Sequence, residues 1–191
     1  MRIFTLLGSP RRHGNTARAL QWVEEQFQAD GHDVDHVNIL DYNVGGCHEC
    51  LACKKPDHAA LCLIEDDANG LFRRMVQADL VLIAAPVFCW GFPAQIKGLI
   101  DRTYCLMDFD VPRNDLPRLT GKPMSLLLTA GGEGIDNADL VFRGFHHTVG
   151  LLGARPAGKW LVPNCTTPDA MGDDVRKGAS EFAKTLLSKI T

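Results

Sequence analysis

Four cysteines crowd into one short stretch of the chain and form its most distinctive group of potential ligands. Two residues separate Cys47 from Cys50 and Cys50 from Cys53, and Cys62 follows after eight more. Thiolates at this spacing on irregular backbone can point at one centre, and four of them suit a tetrahedral zinc ion or an iron–sulfur cluster. The chain has seven cysteines, an odd number that fits a secreted disulfide framework poorly. The stretch therefore predicts either metal ligands or reduced thiols in a structural loop.

A second group of polar residues, at positions 8–16, reads GSPRRHGNT and could bind an anion. Free backbone N–H groups, hydroxyls and guanidinium groups meet there at a helix start, which favours a phosphate dianion. The spacing matches neither the dinucleotide GxGxxG motif nor a Walker loop. A plain strand-to-helix turn capped by Asn or Ser is the alternative. The candidate phosphate-binding residues are Ser9, Arg11, Arg12, Gly14, Asn15 and Thr16.

Two further loops follow apolar runs and could hold a flat ring. Aromatic side chains beyond the end of a strand, as in residues 86–91, can cover one face of such a ring. The glycines of residues 129–134 allow backbone to come close to a ligand. The alternatives are core packing for the aromatic rings, a small buried thiol for Cys89 and a simple connector for the glycines. The candidates are Pro86, Val87, Phe88, Cys89, Trp90 and Gly91, with Thr129, Gly131 and Gly132.

The elements that must position these residues alternate between short apolar runs and helical patterns. This alternation is typical of a doubly wound parallel α/β sheet with helices on both faces, in which ligands bind at the carboxyl ends of the strands. We predict strands over residues 2–7, 33–40, 80–85, 124–130 and 159–162, the last extended by the residues just before it. We predict helices over residues 15–29, 66–77, 94–105, 136–152 and 169–190. No linker divides the chain, so we expect one domain over residues 1–191, with 41–65 as a cysteine-rich insertion loop and 108–122 irregular.

Two of these segments resemble a known family. GSPRRHGNT is similar to the FMN-phosphate loop of the NAD(P)H-dependent FMN reductases of the flavodoxin-like superfamily, and APVFCWGFPAQIKGLIDRTY resembles that family's segment of roughly SPVYW…PAQLKALIDR. The resemblance spans about residues 1–155. It implies a flavodoxin-like sheet of five strands in the order 2-1-3-4-5, bound FMN, and NAD(P)H as co-substrate. Asp101 and Arg102 of the matched segment are expected to serve in helix capping, packing or a subunit contact.

The same resemblance implies an FMN-dependent oxidoreductase of the FMN or quinone reductase type. Hydride passes from the pyridine nucleotide to bound FMN, and electrons pass on to a small-molecule acceptor or a redox protein. We assign no catalytic side chain, because the flavin carries this chemistry and the protein supplies binding and access. The family's habit further implies a homodimer or homotetramer.

The cysteine segment resembles that of the iron–sulfur flavoproteins, a branch of the same superfamily in which a [4Fe–4S] cluster passes electrons to FMN. In that branch the last gap is usually shorter than the eight residues between Cys53 and Cys62. Related reductases without a cluster keep a similar segment, matched here through Asp66 and Asp67, as a structural or subunit-contact loop. An iron–sulfur flavoprotein working with a ferredoxin-like partner is therefore the second hypothesis, and a non-catalytic flavin- or zinc-binding module is the third.

Composition and charge exclude other classes of function. The formal net charge of −3 is spread along the chain without a basic block, so nucleic acid is not expected as a partner. No stretch approaches the roughly 20 apolar residues of a membrane-spanning helix, so no membrane partner is expected. The apolar run at the N-terminus ends in a Gly-Ser-Pro turn and is interpreted as a strand instead of an export signal. We expect a cytoplasmic protein.

Overall fold

The computed structural model describes residues 1–55, 61–107 and 118–190, and its centre is one parallel sheet. The strands are β1 (Arg2–Leu7), β2 (Asp33–Asn38), β3 (Leu80–Pro86), β4 (Pro123–Thr129) and β5 (Arg155–Val162). Their order is β2-β1-β3-β4-β5, which confirms the predicted flavodoxin-like topology. All neighbouring pairs are parallel, so every strand ends at the same edge of the sheet.

Helices cover both faces of this sheet, as predicted. The helices are α1 (Asn15–Ala29), α2 (Ala68–Gln77), α3 (Ala94–Arg102), α4 (Asp139–Leu151) and α5 (Asp173–Leu187). Two apolar clusters result: α1 and α5 pack on one face, and α2, α3 and α4 pack on the other. Because β3 and β4 lie between the two clusters, both strands are apolar almost throughout and nearly fully buried. None of the described helices is long and apolar enough to cross a membrane.

Several element ends differ from the predicted ones because side chains intervene. The second strand stops at Asn38, whose side chain accepts the N–H of Leu40 and opens a short 3-10 turn. The second helix begins at Ala68 and not at Asp66, because the Asp66 carboxylate accepts the Ala68 N–H from outside the helix. The third helix ends at Arg102 and continues as a 3-10 turn.

The last two helices and the last strand also begin at residues other than the predicted ones. Short 3-10 turns precede α4 and α5, at Ile135–Asn137 and Pro168–Ala170, so both helices start three or four residues after the predicted positions. The fifth strand begins earlier, at Arg155, and takes in Pro156, which an edge strand with an irregular register tolerates. The predicted irregular stretches 41–65 and 108–122 lie partly outside the described residues, since 56–60 and 108–117 belong to neither range.

One tight contact joins the end of β1 to α3. The Gly8 N–H donates to the Ala84 carbonyl at 2.7 Å, which keeps Gly8 beside β3. A Cβ atom on Gly8 would lie 2.5 Å from Cδ1 of Ile96, 3.0 Å from its Cβ and 3.1 Å from its Cγ2. Ile96 is fully buried and cannot move aside freely. A glycine at position 8 therefore lets α3 pack against the first residue of the loop after β1.

We predict that Gly8→Ala lowers the free energy of unfolding by about 1–3 kcal/mol, because the added methyl overpacks this contact. Urea denaturation measures the change. Combining Gly8→Ala with Ile96→Val removes the closest atom and should recover part of the loss. Gly144→Ala is the control: position 144 lies in α4 with nothing within 4 Å of a Cβ, and the change should be neutral or stabilising. Equal effects at both glycines would contradict the packing argument.

Candidate functional site

A cavity of about 810 Å³ opens at the edge where the parallel strands end. Loops that follow β1, β3, β4 and β5 form its walls. Eleven of the residues proposed from the sequence line it: Ser9, Arg11, Arg12, Gly14, Asn15, Thr16, Pro86, Val87, Phe88, Thr129 and Gly131. Cys89, Trp90, Gly91 and Gly132 are not among the lining residues. Three loops that are far apart in sequence thus meet in one place.

The cavity is strongly biased toward positive charge. Arg11, Arg12 and Arg18 line it, together with His13, and no described lining residue is Asp or Glu. Arg12 forms an exposed ion pair with Asp41, with 2.6 Å between Nη1 and Oδ1. A protein with a net charge of −3 therefore concentrates cations at this one opening, which suits an anionic ligand.

The start of α1 adds to this bias. Gly14 precedes the helix and has no side chain, so no side chain caps the N–H groups of the first turn. No acidic residue lies in that turn either. Uncapped N–H groups at a helix start carry partial positive charge and bind anions. Since residues 14–17 all line the cavity, these donors border the space that the arginines surround.

The hydroxyls of this loop are already engaged within the protein. Ser9 is 3% exposed and its Oγ accepts the N–H of Arg11 at 3.1 Å. Thr16 is equally buried, and its hydroxyl lies 2.7 Å from the Thr129 hydroxyl. This second bond ties the loop after β1 to the end of β4. The two hydroxyls therefore help to hold the shape of the cavity, and the Ser9 hydroxyl, which accepts in its bond, keeps its own hydrogen for donation.

Residues 88–91 form a miniature hairpin. Phe88 and Gly91 exchange two backbone hydrogen bonds, of 3.0 and 2.8 Å, around the two-residue turn Cys89-Trp90. Both turn residues have positive φ, 47° and 56°, which costs a non-glycine residue free energy. Phe88 and Trp90 are 50% and 60% exposed, so neither is an ordinary core residue. Cys89 is exposed as well, which rules out the small buried thiol.

Gly132 has a packing explanation. A Cβ there would lie 2.4 Å from the Asn137 side chain, whose Nδ2 donates to the Glu133 carbonyl at 2.6 Å. The glycine therefore lets this turn close on itself. Gly131, in contrast, faces the cavity and approaches Thr166.

The sequence analysis missed a fourth wall, the loop after β5. Cys165, Thr166, Thr167 and Pro168 line the cavity. The Asn15 side chain fastens this loop, because its Nδ2 donates to the carbonyls of Cys165 and Thr167 at 3.3 and 2.9 Å. The Cys165 thiol is half-buried against the α1 and α5 side of the core, and this burial raises its pKa. The rule that places ligands at the carboxyl ends of parallel strands could have found this wall, since it applies to every strand.

A second cavity, of about 390 Å³, brings together the cysteines of residues 47–62. Cys47, Cys50, Cys53 and Cys62 line it, and the sequence analysis did not assign the fifth thiol there, Cys105. Burial raises the pKa of Cys53 and raises that of Cys105 to about 12. The neighbouring thiols Cys62 and Cys50 help to raise the pKa of Cys53, and Cys62 and Cys53 help to raise that of Cys105. Cys53, Cys62 and Cys105 form the inner side of the cavity, while Cys47 and Cys50 are exposed.

Asp66 and Arg102 anchor the inner side of this cavity. The Asp66 carboxylate accepts the Gly45 N–H at 2.9 Å and pairs with the Arg102 guanidinium. Burial alone lowers the pKa of Arg102, but the hydrogen bond to Asp66 and the neighbouring Cys62 outweigh it and raise that pKa. Gly98 allows the close approach, because a Cβ there would lie 3.1 Å from the Gly45 carbonyl oxygen. The segment that carries the cysteines is thus held against α3.

Among the described residues, the thiols are not grouped as a site for a single metal ion. Within residues 1–55, 61–107 and 118–190, no three Cys, His, Asp or Glu side chains stand close enough together to hold one. A mononuclear zinc site requires its ligands to converge on one point. In a [4Fe–4S] cluster each thiolate binds a different iron, so its four thiolates stand further apart than those of a zinc site.

Two relatives have the same name, iron-sulfur flavoprotein. The protein from Methanosarcina thermophila is 35% identical over 106 residues, which cover 56% of this chain and 54% of that protein. The protein from Archaeoglobus fulgidus is 27% identical over 186 residues, which cover 97% of this chain and 79% of that protein. The chain thus spans about half the length of the first relative and most of the second.

A solved structure described as flavone reductase has the same fold. Its TM-score is 0.75 at 14% identity, and the match covers 99% of this chain and 63% of that one. A family model described as NADPH-dependent FMN reductase matches residues 1–165, which include all four cavity loops up to Cys165 and the cysteine segment. The chain therefore belongs to the NADPH-dependent FMN reductase family.

Proposed function

We propose that this protein is a reductase that takes hydride from NAD(P)H and delivers electrons to a small-molecule acceptor. When bound, FMN supplies the hydride-accepting ring and passes electrons on. The observation that carries the proposal is the 810 Å³ cavity, in which an uncapped helix start and three arginines share one space with Phe88. Anaerobic addition of NADPH or NADH to FMN-loaded protein tests it: bleaching of the flavin's visible absorbance is expected, and unchanged absorbance with both nucleotides would contradict it.

In this proposal a polar surface binds the phosphate of the flavin, and a second, more apolar surface borders its ring. The N–H groups of residues 14–17 and the Arg11 guanidinium bind the phosphate, since Arg12 already pairs with Asp41. Phe88 and the backbone of residues 86–88, 129 and 131 border the ring. The loop fastened by Asn15 closes the remaining side. Trp90 lies outside the cavity at the hairpin tip, 60% exposed, where it can meet an acceptor or a second copy of the chain.

The setting of the reaction is part of the proposal. We place the protein in the cytoplasm, where its seven cysteines stay reduced. We also propose that it forms a homodimer or homotetramer. Exposed apolar side chains on the hairpin and on α4, among them Leu140 and Leu151, support an interface between copies.

A second activity, electron transfer through an iron–sulfur cluster, is supported by the cysteine cavity. Five thiols line it, and it lies beside a buried guanidinium. Cys47, Cys50, Cys53 and Cys62 would hold the cluster. When bound, it would supply one-electron transfer to or from the flavin. The names of the two relatives from Methanosarcina thermophila and Archaeoglobus fulgidus point the same way for those proteins.

We predict that Arg11→Gln weakens FMN binding by about tenfold, the typical contribution of a charge-assisted hydrogen bond, and leaves riboflavin binding unchanged. Quenching of flavin fluorescence on titration into FMN-free protein measures both affinities. Riboflavin lacks only the phosphate, so the comparison isolates that group. Arg143→Gln, an exposed position of α4 outside the cavity, is the matched control and should change neither affinity. Equal losses for FMN and riboflavin, or none, would place the phosphate elsewhere.

We predict that Cys53→Ser abolishes iron and acid-labile sulfide in anaerobically purified protein but preserves bound FMN. Cys53 lies on the inner side of the cysteine cavity and far in sequence from every flavin loop. Cys165→Ser is the matched control, because that half-buried thiol lies at the other cavity and should leave iron and sulfide unchanged. Wild-type protein with flavin but without iron would refute the cluster and leave the reductase proposal standing.

A further inference from the structure

Arg102 is the largest side chain that the fold buries completely, among the residues described. It is 1% exposed, although a guanidinium is always charged and loses much of its hydration free energy on burial. Such a group is retained only when partners satisfy its donors and its charge. The partners that the protein provides are therefore informative.

Asp66 accepts only some of the hydrogen bonds that the Arg102 guanidinium can donate. Nη1 donates to Asp66 and lies 3.4 Å from the Gly45 carbonyl oxygen, and Nη2 lies 3.5 Å from the carbonyl oxygen of Ile64. Both carbonyl contacts are at the long limit of a hydrogen bond. The Nε–H is buried and has no partner among the described residues. The Asp66 carboxylate also accepts the N–H groups of Gly45 and Ala68, so Arg102 shares it with two backbone donors.

The unsatisfied donors belong to a residue in the wall of the cysteine cavity. Arg102 and Cys62 both line it, so the guanidinium and the thiol border the same space. Glu49 and Asp101 also line this cavity, but both are exposed to solvent, and Asp101 pairs with Lys97. Arg102 is thus the buried charge that an occupant of the cavity would meet.

We propose that Arg102 is the hydrogen-bond donor and counter-charge of the cluster site, acting on the sulfur of Cys62. The inference rests on the iron–sulfur cluster proposed above. Sulfur ligands accept N–H bonds, and such bonds together with net charge set the reduction potential of a cluster. Arg102 stabilises the negative charge that one added electron brings to the site. Its removal therefore lowers the potential.

A purely structural role for the same residue makes a different prediction. The Asp66–Arg102 pair holds Gly45 against α3, so a variant would lose stability whether or not a cluster is present. Only the proposed role changes the reduction potential of a cluster that is still fully loaded. The potential is therefore the measurement that separates the two roles.

The test is a redox titration, monitored by electron paramagnetic resonance, of FMN-loaded protein purified without oxygen. Arg102→Lys keeps the charge and loses the planar donor set, and Arg102→Gln loses both. We expect a shift to lower potential in the lysine variant and a larger one in the glutamine variant, with iron, sulfide and FMN per chain equal to wild type. Arg73→Lys and Arg73→Gln are the matched controls, because Arg73 is exposed on α2 and lies outside the cavity; they should not shift the potential.

A second measurement needs no variant and so does not depend on folding. Wild-type protein grown with ¹⁵N-arginine should show a ¹⁵N coupling to the reduced cluster in pulsed electron paramagnetic resonance, and Arg102 is the sole described arginine of that cavity. A loaded cluster without this coupling, or with a potential indifferent to Arg102→Lys, overturns the assignment and leaves the cluster standing. Wild-type protein without iron overturns both.

Discussion

All five strands of the sheet run in one direction, and this constraint determines where chemistry can occur. A parallel strand can be followed only by a loop at the common edge, so the segments after β1, β3, β4 and β5 are brought together there without any contact in sequence. The order of strands reverses at β1, which sends α1 to one face and α2 and α3 to the other. The helix layers on the two faces therefore diverge beside β1, and the larger cavity lies between them.

Helix α3 connects the flavin cavity with the cysteine cavity. It starts just after the aromatic hairpin at the larger cavity, packs against Gly8 through Ile96, and ends at Arg102 in the wall of the cysteine cavity. At 1.5 Å per residue, this nine-residue helix spans about 14 Å. An electron donor or acceptor in the cysteine cavity would therefore lie about one length of α3 from a flavin in the larger cavity. Because α3 is a single rigid element, it keeps that distance constant.

Much of this arrangement could be predicted from the sequence because it depends on local patterns. Apolar runs located β3 and β4, and the Gly-Ser-Pro turn located the loop that opens the larger cavity. Features that depend on distant partners could not be predicted. Nothing near Asn15 indicates that its side chain reaches Cys165 and Thr167, some 150 residues away.

The burial of a charged side chain and the strained backbone of the hairpin turn could not be predicted from the sequence either. Arg102 was assigned to capping, packing or a subunit contact, because its partner Asp66 lies 36 residues earlier and its burial follows from the whole fold. The positive φ values of Cys89 and Trp90 were also unexpected, since local preference would put glycine or asparagine in such a turn. In both cases tertiary contacts override what the local sequence favours.

The central claim is that one edge of the sheet holds the whole flavin, with its phosphate at the start of α1. A crystal structure of the FMN complex tests it most directly. The account predicts the phosphate within hydrogen-bond distance of the N–H groups of residues 14–17 and of Arg11, with the ring beside Phe88. A phosphate bound away from α1, or a ring on the far side of the hairpin from Phe88, would contradict it.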